Sequence, residues 1–143
     1  MQTWLPYPDF AKSASVLDYR RLGKHRVETK QILEALDRGG GAWYNHPATQ
    51  MWKGCEPALA FYGVVICEEW ISRGYRDSLL PYFKSRLMDR RVVFTSLPGW
   101  LGNQQIHSSH RGRLLAKEPS HYQQFHWPDS PRDSVVYLRD IVN

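Results

Sequence analysis

Residues 18–41 read DYRRLGKHRVETKQILEALDRGGG, and this stretch decides the fold class. Asp18 is a residue type favoured at helix N-caps, and Leu22, Leu33 and Leu36 recur at helical spacing with no proline between them. Gly39-Gly40-Gly41 then stops the helix. The pattern predicts a helix from about Tyr19 to Asp37. Upstream, Asp9 caps a short helix through Phe10, Ala14 and Leu17. Downstream, Asn45-His46-Pro47 reads as a helix start with Pro47 at the first helical position. A longer helix is expected from about Glu56 to Arg73. Its core stripe is Leu59, Tyr62, Ile66 and Trp70, with Pro57 in the first turn and Gly74 at the end. Arg90-Arg91-Val92-Val93-Phe94 is strand-like but too isolated to build a sheet, and Ser96 to Asn103 reads as a loop. Helical spacing returns from about Gln104 to Lys117, and Pro119 opens a short turn carrying Tyr122 and Phe125. The expectation is an all-α chain: one compact helical bundle with long loops, a single domain over residues 1–143.

Composition narrows the partners. The chain carries a net charge of +5, from 13 Arg and 6 Lys against 14 acidic residues. Arginine suits phosphate, because its planar fork binds two oxygens at once, so nucleic acid is the first partner to test. The bland alternative is a basic protein with charges on solvated faces. Cys55 and Cys67 are too few for a disulfide scaffold or a zinc site and are expected as buried, small apolar residues. No signal peptide is evident, and no stretch approaches the length of a membrane span. A reducing cytosol is the expected compartment.

The first ten residues, MQTWLPYPDF, are unusually apolar for a terminus. Trp4, Leu5, Tyr7 and Phe10, stiffened by Pro6 and Pro8, should tie the chain end to the fold and hold the Met1 α-amine in place.

The densest polar cluster runs from Tyr19 to Glu28. On a helix, Arg21, His25 and Glu28 share one face, which puts a lone carboxylate amid cations. The same residues would also suit a solvated face with a Lys24–Glu28 ion pair. His46 could meet a phosphate or cap its helix. His107 and His110 form an H-x-x-H beside Arg111 and Arg113. That is a weak metal pattern, with no third ligand at a recognisable spacing, and a more credible phosphate-contacting face. No Gly-rich phosphate loop, G-x-S-x-G or zinc-deaminase signature is present, so those chemistries have no support.

Taken together, these stretches resemble the pyrimidine-dimer DNA glycosylases of the phage endonuclease V type, and in particular short bacterial relatives beginning MQTFLPYPDF. The resemblance rests on Met1 to Leu36, densest from Arg21 to Glu28. It continues from His46 through Trp52 to Trp70-Ile71-Ser72-Arg73-Gly74-Tyr75, and from Leu114 to Phe125. It implies a compact α-helical enzyme with no cofactor or metal. The implied partner is double-stranded DNA holding a lesion or modified base, with the protein a monomer in the bacterial cytosol. It also implies that an N-terminal amine attacks C1′ of the damaged nucleotide, expels the base as an imine forms, and that β-elimination then cuts the strand. An α-amine suits this role because its reference pKa is about 7.7–8.0 against about 10.4 for lysine, leaving roughly a tenth as free base at neutral pH.

Carried onto this chain, the nucleophile is Met1. Gln2 is too bulky to favour removal of an initiator methionine; were Met1 removed, Gln2 would supply the amine and could cyclise. The family's glutamate follows an arginine in Y-R-E-L, which matches Tyr19-Arg20-Arg21-Leu22, so Arg21 stands where that acid is expected. Glu28 is the nearby carboxylate that could replace it, stabilising the cationic sugar-imine and moving protons. Arg20, Arg21, Lys24, His25, Arg26, His46, His107, His110, Arg111, Arg113 and Lys117 are the expected DNA contacts. Trp43, Trp52, Trp100 and the Tyr122–Trp127 cluster are candidates to stack on bases, several of them expected to be core instead. Two other functions compete: a non-catalytic DNA- or RNA-binding module on the same fold, and a metal-dependent nuclease using His46, His107 and His110.

Overall fold

Two aspartates set the beginning of the fold. Asp9 accepts a hydrogen bond from the Lys12 amide at 2.7 Å and opens α1 (Phe10–Val16). Asp18 accepts from the Arg21 amide at 3.4 Å and opens α2 (Tyr19–Arg38). The α2 helix closes on Gly39, whose φ of 70° is the left-handed conformation that glycine adopts without strain. The computed structural model describes residues 1–88 and 97–142. The strand-like run Arg90–Phe94 lies outside the described residues.

His46 caps the short α3 (Pro47–Gln50) through its Nδ1, and α4 follows at Glu56–Ser72. The helix α5 spans Leu80–Met88, and α6 (Gln104–Lys117) is capped by Asn103. The chain then makes α7 (Pro119–Tyr122), a 3-10 turn (Gln123–Phe125) and a last short α8 (Leu138–Ile141). Among the described residues there is no strand, so the all-α expectation holds. No helix among them is long and apolar enough to cross a membrane.

The core forms around α4, which buries Leu59, Tyr62 and Ile66 as expected. Trp70 departs from that stripe. It is only half-buried, stacked on Tyr75 at 4.2 Å and covered by the Arg26 guanidinium at 4.6 Å. The α5 helix, which the apolar pattern does not announce, lies against α4 where Gly63 leaves no side chain: a Cβ there would strike the Phe83 ring. Cys67 is buried, whereas Cys55 is only half-buried.

The chain's first residues are inside this structure. Thr3, Trp4 and Leu5 are buried, and their polar backbone is taken up by side chains from α2, α4 and α6. That placement organises the functional site.

Candidate active site

Burying residues 3–5 takes their amides and carbonyls out of water, so each needs a partner inside the protein. Three histidines supply most of them. The Trp4 amide donates to His25 Nε2 at 2.9 Å, and the Leu5 amide donates to His110 Nδ1 at 2.9 Å. His107 Nδ1 lies 2.8 Å from the Leu5 carbonyl, to which it donates, and its Nε2 accepts from the Gly102 amide at 2.8 Å. The Tyr62 hydroxyl donates to the Trp4 carbonyl, and Trp52 Nε1 donates to Thr3 Oγ1 at 3.0 Å.

Only neutral imidazoles can accept these amides. Burial pushes His25 down to about 4 and His110 down to about 3, and burial also lowers His107. All three rings are almost fully enclosed. The expected phosphate-contacting face of His107 and His110 is therefore not formed, and His25 is likewise turned inward. Their donors and acceptors are used to hold the N-terminal segment.

Beyond this anchor, Met1 and Gln2 reach the wall of a cleft of about 530 Å³. Glu28, two turns along α2 from Arg21, reaches the same cleft, and its Oε2 accepts from the Gln2 amide at 2.6 Å. Among the described residues Glu28 forms no ion pair, so the Lys24–Glu28 pair is absent. Arg20, Arg21 and Lys24 from α2 and Arg113 and Lys117 from α6 also line the cleft. Burial, followed by the charges of Arg113, Arg21 and Lys24, lowers the Lys117 amine.

Arg21 is engaged from two sides: its Nη1 lies 3.3 Å from both Asp18 and Glu118. Burial would raise the Asp18 carboxyl, but hydrogen bonds from Tyr122 and the nearby Arg21 hold it below the usual range. His46 caps α3, accepting from the Ala48 amide at 3.0 Å, and its ring meets Tyr137 edge-on at 6.2 Å. Burial and then the positive chain terminus lower its pKa, against the opposing pull of Glu28.

Two expected contacts lie elsewhere. Arg26 forms an ion pair with Asp77 under Trp70. Arg111 grips Asp129 through two nitrogens, at 2.7 and 3.1 Å, and the Pro6 carbonyl at 2.7 Å. Among the described residues no three His, Cys, Asp or Glu side chains converge as metal ligands do.

One wall carries no signal in the sequence pattern. Asp133, Ser134, Val135 and Tyr137 belong to a strap that crosses α6 and closes the far side of the cleft. The strap is tied to α6 by Arg132 N to Gly112 O at 3.0 Å and Val136 N to Ser109 Oγ at 2.8 Å. Tyr137 donates to Gln2 Oε1 at 3.1 Å. The run WPDSPRDSVVY has no periodicity and no turn signature that pairs it with α6.

The cleft thus joins a chain-terminal amine, a carboxylate and a cationic wall. A family model described as pyrimidine dimer DNA glycosylase matches residues 1–80, more than half the chain. The chain belongs to this family. No protein of curated function and no solved structure matches it. The family is one of DNA glycosylases that act on damaged DNA. The matched stretch carries Met1, Gln2, Glu28 and the α2 cations, while Arg113, Lys117 and Tyr137 lie beyond it.

Proposed function

We propose that this protein is a DNA glycosylase with AP-lyase activity, excising damaged or modified pyrimidines through an imine on the Met1 amine. The observation that carries this reading is the meeting of Met1 and Glu28 in one cationic cleft, bridged by the Gln2 amide. In this mechanism the free α-nitrogen attacks C1′, the glycosidic bond breaks, and the base leaves with a proton. Loss of the amine proton and opening of the sugar give a protonated imine. Removal of a C2′ proton then breaks the C3′–O bond and cuts the strand. Glu28 carries these protons and stabilises the cationic sugar. Arg20, Lys24, Arg113 and Lys117 hold the backbone phosphates of double-stranded DNA, with Arg21 beside them paired to Asp18 and Glu118. The protein works as a monomer in the bacterial cytosol and needs no cofactor.

Borohydride trapping on abasic-site DNA tests the reading. A covalent adduct is expected, mapping to Met1 by peptide mass. An adduct at Lys117 would move the nucleophile, since that amine shares the cleft. Glu28→Gln should trap at least about 100-fold more slowly; trapping at full rate would remove Glu28. A non-cleavable extension ahead of Met1 should abolish the adduct. Lesion binding with no adduct would favour the non-catalytic module, a reading that draws on Arg21 standing at the acid position and being bound to Asp18 and Glu118.

A further inference from the structure

The six tryptophans are not equivalent. Trp4, Trp52 and Trp100 are buried, and Trp70 and Trp127 half-buried, whereas Trp43 is 50% exposed. The candidate stackers Trp52 and Trp100 face each other in the core at 5.1 Å, and Tyr122, stacked on Trp127, is enclosed. Trp43 also has a backbone φ of 68°. A bulky side chain is strained there, and such strain persists only where the surroundings impose it.

The surroundings do impose it. Arg38 donates to the Gly40 and Ala42 carbonyls, at 3.3 and 2.7 Å, just before the residue. Just after it, the His46 amide donates to the Trp43 carbonyl at 3.2 Å, and Gln50 Nε2 to the Tyr44 carbonyl at 2.6 Å. The loop is braced on both sides of a ring that adds nothing to the core. That ring meets His46 edge-on at 6.1 Å, and His46 meets Tyr137 at 6.2 Å. Trp43, His46 and Tyr137 form a row leading from the surface to the cleft wall. Cations accompany it, with Lys53 over the Tyr44 ring and Arg139 over the Tyr137 ring, each at 5.8 Å.

We infer that Trp43 is a stacking wedge: its indole enters the duplex beside the lesion and stacks on the flanking base pair while the damaged nucleotide occupies the cleft. Inserted rings unstack a base step and hold the helix bent, and a base stacked on an aromatic side chain contributes enough to matter for affinity. The inference rests on the family's action on damaged DNA and on the cleft as the lesion's place. It does not need the amine chemistry.

The test is fluorescence-anisotropy binding of an oligonucleotide carrying a tetrahydrofuran abasic analogue, as a duplex and as a single strand. Trp43→Ala should weaken duplex binding about tenfold and change single-strand binding by less than about twofold. Trp43→Phe should recover most of the loss. Trp43→Gly should keep or raise Tm, because glycine accepts the left-handed backbone, yet show the same duplex defect; this separates loss of the wedge from loss of the fold. No duplex defect, or equal loss on both forms, would overturn the inference. So would a wild-type protein that binds lesion and undamaged duplex equally. A duplex-specific loss supports the wedge whether or not borohydride traps an adduct, so the two readings fail separately.

Discussion

His25 and His110 accept hydrogen bonds from consecutive amides, Trp4 and Leu5, but through different ring nitrogens. Both work only while uncharged. In the unfolded chain each imidazole has a pKa near 6.5, whereas in the fold burial pushes His25 down to about 4 and His110 down to about 3. Below pH 6.5 the unfolded state binds more protons than the folded one, so stability is full above that pH and is lost as pH falls towards 4. At pH 5 the loss is on the order of 2 kcal/mol for each ring. Thermal melts from pH 7 to pH 5 should show Tm falling. In His25→Gln, whose side-chain oxygen can replace Nε2 without titrating, the fall should be smaller. An identical fall would mean that His25 does not govern acid stability.

At the scale of elements, readability followed the range of the interactions. Helices α1, α2 and α6 carry their own side-chain caps in Asp9, Asp18 and Asn103, α4 has Pro57 in its first turn, and all four show apolar spacing, so they are legible locally. The α5 helix is capped by Asp77, which accepts from the Leu79 and Leu80 amides and also pairs with Arg26 on α2. Its signal is therefore split between two distant stretches. The inward turn of His107 and His110 was hidden for the same reason. H-x-x-H spacing marks one helix face, but only contact with Leu5 says that the face is buried. The strap is the extreme case, since the ties named for it run to α6 and, through Tyr137, to Gln2 at the far end of the sequence. Gly63 is the element-level test of how closely α4 and α5 must approach. Alanine there gains helix propensity of roughly 1 kcal/mol, but its Cβ meets Phe83, and overpacking costs about 1–3 kcal/mol. Gly63→Ala should lower Tm by a few degrees, measured by circular dichroism. An unchanged Tm would show that Phe83 yields at no cost.

Across the whole molecule, part of the basic charge converges on one cleft. Arg20, Lys24, Arg113 and Lys117 come from two helices to one cleft, whereas Arg26 and Arg111 are bound to Asp77 and Asp129. If these four cations, Arg21 being paired to Asp18 and Glu118, each neutralise a phosphate, the logarithm of the duplex binding constant should fall with log salt at a slope of about −3.6. Alanine at any of the four should reduce the steepness by about 1, and Arg26→Ala should leave it unchanged. A slope insensitive to all four would place the DNA elsewhere.

The seating of the first residues also sets an order of assembly. Leu5 leaves the ribosome early, yet its amide waits for His110, 105 positions later. The stretch that matches the family, residues 1–80, contains the terminus and Glu28 but neither His107 nor His110. A growing chain therefore carries its terminal amine long before it can aim it. On the mechanism proposed above, competence would arrive only when α6 emerges, and chains ending before His107 should form no borohydride adduct.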